Sequence, residues 1–143
     1  MGRINAGRVV LGGVLAAVFL YLTEYVVQGV LMKAPWEQAT RALGHDPNAN
    51  MGMAMGIYAV WALLVGLAMA WVYAACRPRF GAGPVSAAKV GFTLWIVGSL
   101  APMLGMLATG LWPPMLLCHS TLAELVLYVL AAIIAAAPYQ ETA

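Results

Sequence analysis

Charged residues are scarce in this chain: only 8% of its 143 residues are Asp, Glu, Lys or Arg, whereas 64% are hydrophobic. A domain that folds in water needs more polar surface than this composition supplies. The few cations also form no patch large enough to bind nucleic acid. The composition therefore predicts a membrane protein whose surroundings are the lipid bilayer.

Catalytic sequence motifs are missing as well. The chain has no glycine-rich phosphate loop, no His-Glu-x-x-His zinc motif, no Cys-x-x-Cys pair and no serine nucleophile elbow. No sequence motif therefore indicates an enzyme or a bound cofactor. We expect a protein that works by binding or association and not by covalent catalysis.

Four long apolar runs fill most of the chain, at 9–32, 51–75, 90–112 and 115–137. Each is at least as long as the ~20 residues that a helix needs to cross a ~30 Å hydrocarbon core. The first run exceeds the apolar core of a signal peptide and lacks a small-x-small cleavage site, so we expect it to be retained. The sequence thus predicts an all-α, four-helix transmembrane bundle that forms a single domain over 1–143.

Cations that flank the helices predict the orientation. One side of the expected bundle carries five of them: Arg3, Arg8, Arg77, Arg79 and Lys89. The 33–50 connection on the other side carries two cations and two carboxylates. By the positive-inside rule, both termini are predicted to lie in the cytoplasm (N-in, C-in), most simply in a bacterial inner membrane. Cys76 and Cys118 would then lie at opposite membrane faces, too far apart for a disulfide.

The 33–50 connection predicts a short interfacial helix. A proline near its start and a glycine near its end frame about two helical turns. Trp36, Ala39 and Leu43 fall on one face of this segment, which suits a helix resting at the membrane surface.

Small residues indicate where helices approach each other closely. Ala62, Gly66, Ala70 and Ala74 recur at every fourth position of the second helix, a pattern typical of tight helix packing in membranes. Pro102 removes a backbone hydrogen bond from the third helix and predicts a bend. The region around Pro102 is interpreted either as packing or as a hinge or cavity.

Two carboxylates, Glu24 and Glu124, lie well inside the first and fourth runs at similar depth. An ionisable side chain in hydrocarbon costs roughly 2.5 kcal/mol or more, so each marks a candidate functional site. We expect the first and fourth helices to be neighbours, with both carboxylates turned inward. Polar residues at helical spacing complete this intramembrane polar cluster: Tyr21, Tyr25, Gln28, His119, Thr121 and Tyr128.

Two interpretations of the polar cluster stay open. It is either a structural network that joins helices one and four, or a binding site whose carboxyl groups take up and release protons as a ligand binds. The second interpretation rests on the fact that apolar surroundings disfavour the charged form of a carboxyl group.

Soft metal ligands gather near one end of the predicted bundle. Thioether, thiol and imidazole groups are the ligands that Cu(I) prefers, so a Cu(I)-type site is a minor alternative. Methionine is also a common apolar filler, and alternate positions spread around a helix, so no metal is predicted as the main interpretation. The candidate ligands are Met51, Met53, Met55, Met115, Cys118 and His119.

The layout resembles a known group of proteins. The residues that carry the resemblance are Lys33-Ala34-Pro35-Trp36, then Gly91-Phe92-Thr93-Leu94-Trp95 and Pro102-Met103-Leu104-Gly105 in the third helix. In this order they resemble a family of small bacterial four-span membrane proteins of unknown function. The resemblance implies a four-helix fold and no activity.

The function expected from the sequence is association within the membrane. The main hypothesis is an accessory or scaffold subunit that docks on a larger membrane complex or on a second copy of itself as a homo-oligomer. The alternative is a proton-coupled carrier or binding protein for a small molecule at Glu24 and Glu124. A monomer of this size has little volume for a transport path, so a carrier would act as a dimer.

Overall fold

The computed structural model describes residues 4–140, of which 84% are helical and none lies in a strand. Four helices are long and apolar enough to cross a membrane, which confirms the predicted all-α architecture of four spans. They are span 1 (Ala6–Leu31), span 2 (Met51–Phe80), span 3 (Pro84–Thr109) and span 4 (Pro114–Ala136). Span 2 has 30 residues and is ~45 Å long, well above the ~30 Å of the hydrocarbon core.

Local sequence signals set the helix ends. The Asn5 side chain accepts a hydrogen bond from the Arg8 backbone N–H at 3.2 Å and caps span 1. Pro84 and Pro114 occupy the first turns of spans 3 and 4. An N–H in the first turn of a helix has no hydrogen-bond acceptor within the helix, so proline is tolerated there. Gly110 follows span 3 with a left-handed φ of 67°, a conformation that glycine adopts without a steric cost.

A ten-residue loop helix, Lys33–Ala42, follows span 1. Ala39 is buried, whereas Trp36 and Leu43 are half-buried, so the predicted common face is turned towards the rest of the protein. Ion pairs from Lys33 and Arg41 to Glu37, at 3.7 and 4.0 Å, lie on the helix surface.

The spans form an antiparallel bundle in which span 1 packs against spans 2 and 4, and span 4 also packs against span 3. We call the end with the Gly81–Gly83 turn, where the described residues begin at Ile4 and end at Gln140, the termini end. The opposite end, with the loop helix and the 110–113 turn, is the loop end. Tyr139 closes the termini end: its hydroxyl accepts from the Asn5 N–H, and its ring meets the Tyr73 ring edge-on with centroids 6.0 Å apart.

Glycine and alanine hold the helices in direct backbone contact. All four residues of the predicted small-residue stripe on span 2 are buried. A Cβ at Gly66 would collide with the Gly13 carbonyl oxygen and lie 2.8 Å from the Ala17 nitrogen of span 1. Gly12 lies equally close to the Ala135 carbonyl of span 4. Gly66 therefore lies in the interface between spans 1 and 2, and the buried stripe is not an outer face open to a partner.

Burial is uneven along the bundle. Residues 25–31 of span 1 and 101–109 of span 3 include no buried residue, and residues 51–60 of span 2 are exposed or half-buried. A Cβ added at Gly52, Gly56 or Gly105 would meet nothing within 4 Å. We call these three segments the open half. The bundle is thus closely packed towards the termini end and loosely packed towards the loop end.

Two π-helical segments interrupt the spans, Tyr25–Leu31 in span 1 and Ile96–Leu100 in span 3. The first closes with an N–H of Met32 bonded to the Val27 carbonyl at 2.9 Å, and the second with an N–H of Ala101 bonded to the Ile96 carbonyl. Pro102 follows directly, in the first turn of the next α-helical stretch, so the wide turn accommodates its missing N–H. Such segments occur often at functional sites.

Candidate functional site: the intramembrane carboxyl pair

Glu24 and Glu124 are brought together by the packing of span 1 against span 4. Both side chains are half-buried, and their carboxyl groups are close enough to each other to interact electrostatically. The Tyr128 hydroxyl lies within electrostatic range of both. The expected adjacency of helices one and four is therefore present, and the two carboxyl groups form a pair.

The Glu124 carboxyl group has a hydrogen-bond partner on span 3. The Ser99 hydroxyl, buried in the second π-helical segment, donates to Glu124 Oε2. Ser99 is a site residue that the sequence analysis did not single out. A hydroxyl in the middle of an otherwise apolar run was the signal available.

The Glu24 carboxyl group lies beside an amide that is fixed in orientation. The Trp36 indole N–H, which can only donate, donates to Gln28 Oε1 at 2.9 Å, so Oε1 and Nε2 of this amide are distinguished. Gln28 Nε2 and Glu24 Oε1 are both buried and lie one helical turn apart, so the amide N–H and the carboxyl oxygen interact with each other. Neither atom makes a hydrogen bond of regular geometry within residues 4–140. The sequence predicted Trp36 only as a side chain of the interfacial helix, so its hydrogen bond to Gln28 was not expected.

Tyr128 forms the wall of the site. Its side chain is 1% exposed, and its ring lies 6.5 Å from the Trp61 ring, measured between centroids. A Cβ at Gly98 would lie 3.0 Å from the Tyr128 hydroxyl, so a larger residue at this position would displace the hydroxyl. The structure places Tyr128 beside the pair, as the helical spacing from Glu124 indicated.

The other expected members of the polar cluster take different positions. Tyr21 is half-buried and packs against the core. Tyr25 is 51% exposed and His119 is exposed, and neither side chain hydrogen-bonds to a carboxyl group in the part of the chain described. Thr121 is buried, and its carbonyl oxygen accepts from the Trp95 indole N–H at 2.8 Å, so it ties span 4 to span 3.

The Cu(I)-type site stays a minor prediction. Within residues 4–140 no group of three or more His, Cys, Asp or Glu side chains could hold a metal ion, and methionine is not among those residue types. Four of the candidate side chains are exposed and two are half-buried; the exposed ones are Met51, Met53, Met115 and His119, and the half-buried ones are Met55 and Cys118.

Comparisons with family models, with curated proteins and with solved structures find no match to this chain. The resemblance to small bacterial four-span proteins therefore stays a resemblance. The chemistry available at the site follows from its own residues: two carboxyl groups, one side-chain amide and a buried phenol, surrounded by apolar side chains.

Proposed function

We propose that this chain is a small integral membrane protein that binds a small ligand at the Glu24–Glu124 pair and exchanges it against protons. The observation that supports the proposal is that two carboxyl groups, Glu24 and Glu124, lie close enough to each other to interact electrostatically among apolar side chains. Within residues 4–140 neither carboxyl group forms an ion pair with a cationic side chain. A cationic ligand would supply the counter-charge that the described residues do not.

The ligand class that suits these residues is a small organic cation. Two ionised carboxylates in a site of low dielectric repel each other, and a cation between them replaces repulsion with attraction. A proton and an organic cation would then compete for the same pair, which is the basis of proton-coupled exchange.

Thermal unfolding in detergent tests this proposal with two probes of the same shape, benzyltrimethylammonium and its neutral isostere neopentylbenzene. The cation should stabilise the wild type at pH 8 by up to ~2.7 kcal/mol at a hundredfold excess over its dissociation constant. At pH 5 protonation of the carboxylates should reduce this stabilisation. The Glu24→Gln/Glu124→Gln double variant should remain folded and show none. Equal stabilisation by the neutral isostere, or by the cation in the double variant, would rule the proposal out.

The proposed location is a bacterial inner membrane with both termini in the cytoplasm. The five flanking cations support it, because they lie on the side of the termini in the predicted topology. The loop helix would then rest at the outer membrane surface, and a transport path would need a homodimer.

A second candidate function is that of an accessory or scaffold subunit, and the open half favours it. Exposed glycines in spans 2 and 3 have free space around them, so the backbone of another chain can approach closely there. Purification in mild detergent followed by mass determination separates the candidates. A stable complex with a different chain supports the scaffold, whereas a homodimer supports the carrier.

A further inference from the structure

A seam on the lipid-facing surface separates spans 2 and 3. At its termini end it widens into a cleft of about 440 Å³, whose lining includes Val72, Cys76, Lys89, Val90 and Thr93. A smaller cleft of about 120 Å³ lies farther along the same two helices. The seam is therefore an extended groove, mostly apolar and open to the side.

The two clefts together extend farther than the depth of one lipid leaflet. Its lining on span 2 begins at Phe80 and ends at Val65, a separation of fifteen residues or ~22 Å along the helix. One leaflet of a ~30 Å hydrocarbon core is about half that core deep. A single acyl chain can thus lie in the groove along most of its length.

The charge at the termini end of the groove is positive. Lys89 lines the wide cleft, with its ammonium group 5.7 Å from the centre of the Phe80 ring, and the exposed Arg79 lies one residue before Phe80. None of the carboxylates within residues 4–140 lies at this end; the remaining acidic residue, Glu141, is outside the described range. Basic residues at the mouth of a pocket between transmembrane helices favour anionic lipid headgroups.

We propose that this seam binds one anionic phospholipid, with an acyl chain between spans 2 and 3 and its phosphate beside Lys89. The headgroup end of the seam is distinct from the carboxyl pair, because Lys89 lies ten residues, or ~15 Å along span 3, from Ser99, the partner of Glu124. The narrow end is bordered by Tyr128 of span 4, which also lies beside the pair. The single cationic side chain in the lining is at the end where a headgroup would lie.

Native mass spectrometry tests the proposal on purified protein exposed to an equal mixture of phosphatidylglycerol and phosphatidylcholine. The wild type should retain phosphatidylglycerol preferentially, and Lys89→Gln should lower that preference about five-fold. Lys33→Gln is the matched control, since Lys33 lies at the loop end with a 60% exposed side chain. Absence of a preference, or the same loss in both variants, would refute the headgroup site.

Occupation of the groove by the acyl chain needs a separate variant. Thr93→Trp should fill the groove and lower retention of both lipids several-fold. Thr109→Trp is its control, because both threonine hydroxyls donate to a carbonyl of their own helix and Thr109 lies outside both clefts. Unchanged lipid retention in Thr93→Trp would refute the binding of an acyl chain in the groove. A shift of this variant from dimer to monomer, without a change in lipid binding, would refute it as well, because it would show that a second copy of the chain occupies the seam.

Cys76 gives a measurement that does not depend on the fold of those variants. In a Cys118→Ser background Cys76 is the remaining thiol, and it lines the wide cleft. Phosphatidylglycerol should slow its alkylation by N-ethylmaleimide several-fold relative to phosphatidylcholine. Equal rates in the two lipids would contradict the proposal.

Discussion

The Trp36 indole N–H donates to the Gln28 side-chain oxygen at 2.9 Å and thereby links the loop helix to span 1. The Trp36 ring also meets the Trp112 ring edge-on, with centroids 5.5 Å apart. One residue outside the four spans thus sets the orientation of an amide beside Glu24. The position of the loop helix and the donor available at the carboxyl pair are therefore coupled.

Trp36→Phe should weaken this coupling while retaining an aromatic ring against Trp112. We expect a loss of ~0.5–1.5 kcal/mol in the free energy of unfolding, the usual contribution of one hydrogen bond. Denaturant titration in detergent micelles measures it. Trp71→Phe is the control, because Trp71 is 57% exposed and its N–H makes no hydrogen bond within residues 4–140; it should change stability by less than ~0.5 kcal/mol. Equal losses in the two variants would show that the bond to Gln28 contributes nothing.

Gly66→Ala should destabilise the bundle by more than ~2 kcal/mol, because its Cβ would overlap backbone atoms of Gly13 and Ala17 that cannot move separately from span 1. Gly56→Ala is the same substitution in the same helix at a position with open surroundings. It should be neutral or stabilising by up to ~1 kcal/mol through helix propensity. Thermal unfolding of both variants under identical conditions decides the matter, and a stable Gly66→Ala protein would contradict the described contact between spans 1 and 2.

Substitutions at Glu124 should rank by the hydrogen bonding they preserve. Gln keeps an acceptor for the Ser99 hydroxyl, whereas Leu leaves that buried hydroxyl without its partner. Glu124→Leu should therefore be less stable than Glu124→Gln by ~0.6–1.7 kcal/mol, the range measured for such contacts in bilayer proteins. In a Ser99→Ala background this difference should shrink. If Leu proved as stable as Gln with Ser99 in place, the Ser99–Glu124 bond would have no structural role.

Reporter fusions test the predicted orientation. Fusions in the 77–89 connection and after Ala143 should both report the cytoplasm, and a fusion near His45 should report the opposite side. The reason is the excess of cations that flank the connection between spans 2 and 3. A reporter after Ala143 that gave an external signal would contradict the orientation or the number of crossings.

The architecture was predictable from the sequence because length and hydropathy suffice to find helices that cross a bilayer. The sequence also led us to expect both carboxylates to be turned inward, since a carboxylate at that depth has to face protein. It did not show whether Glu24 and Glu124 face each other, because that depends on how spans 1 and 4 are rotated about their own axes. The environment of Tyr25 was not predictable in the same way. Tyr25 keeps α-helical geometry, since its N–H bonds to the Tyr21 carbonyl, and as the residue next to Glu24 it points ~100° away around the helix. Its side chain is exposed. The sequence does not show how far the protein-facing surface of span 1 extends around the helix.

The π-helical segment of span 3 makes the fold sensitive to the deletion of a single residue. A turn with i→i+5 bonds holds one residue more than an α-helical turn, so Ile96–Leu100 acts as a single-residue insertion. Gly98 faces the Tyr128 hydroxyl, whereas Gly105, two α-helical turns later, has no neighbour within 4 Å of a Cβ. Deleting one residue from this segment would rotate Ala101–Thr109 by ~100° relative to Pro84–Trp95. The extra residue therefore sets the rotation of Ala101–Thr109 relative to Pro84–Trp95. A single-codon deletion would change which side chains of Ala101–Thr109 face the rest of the bundle.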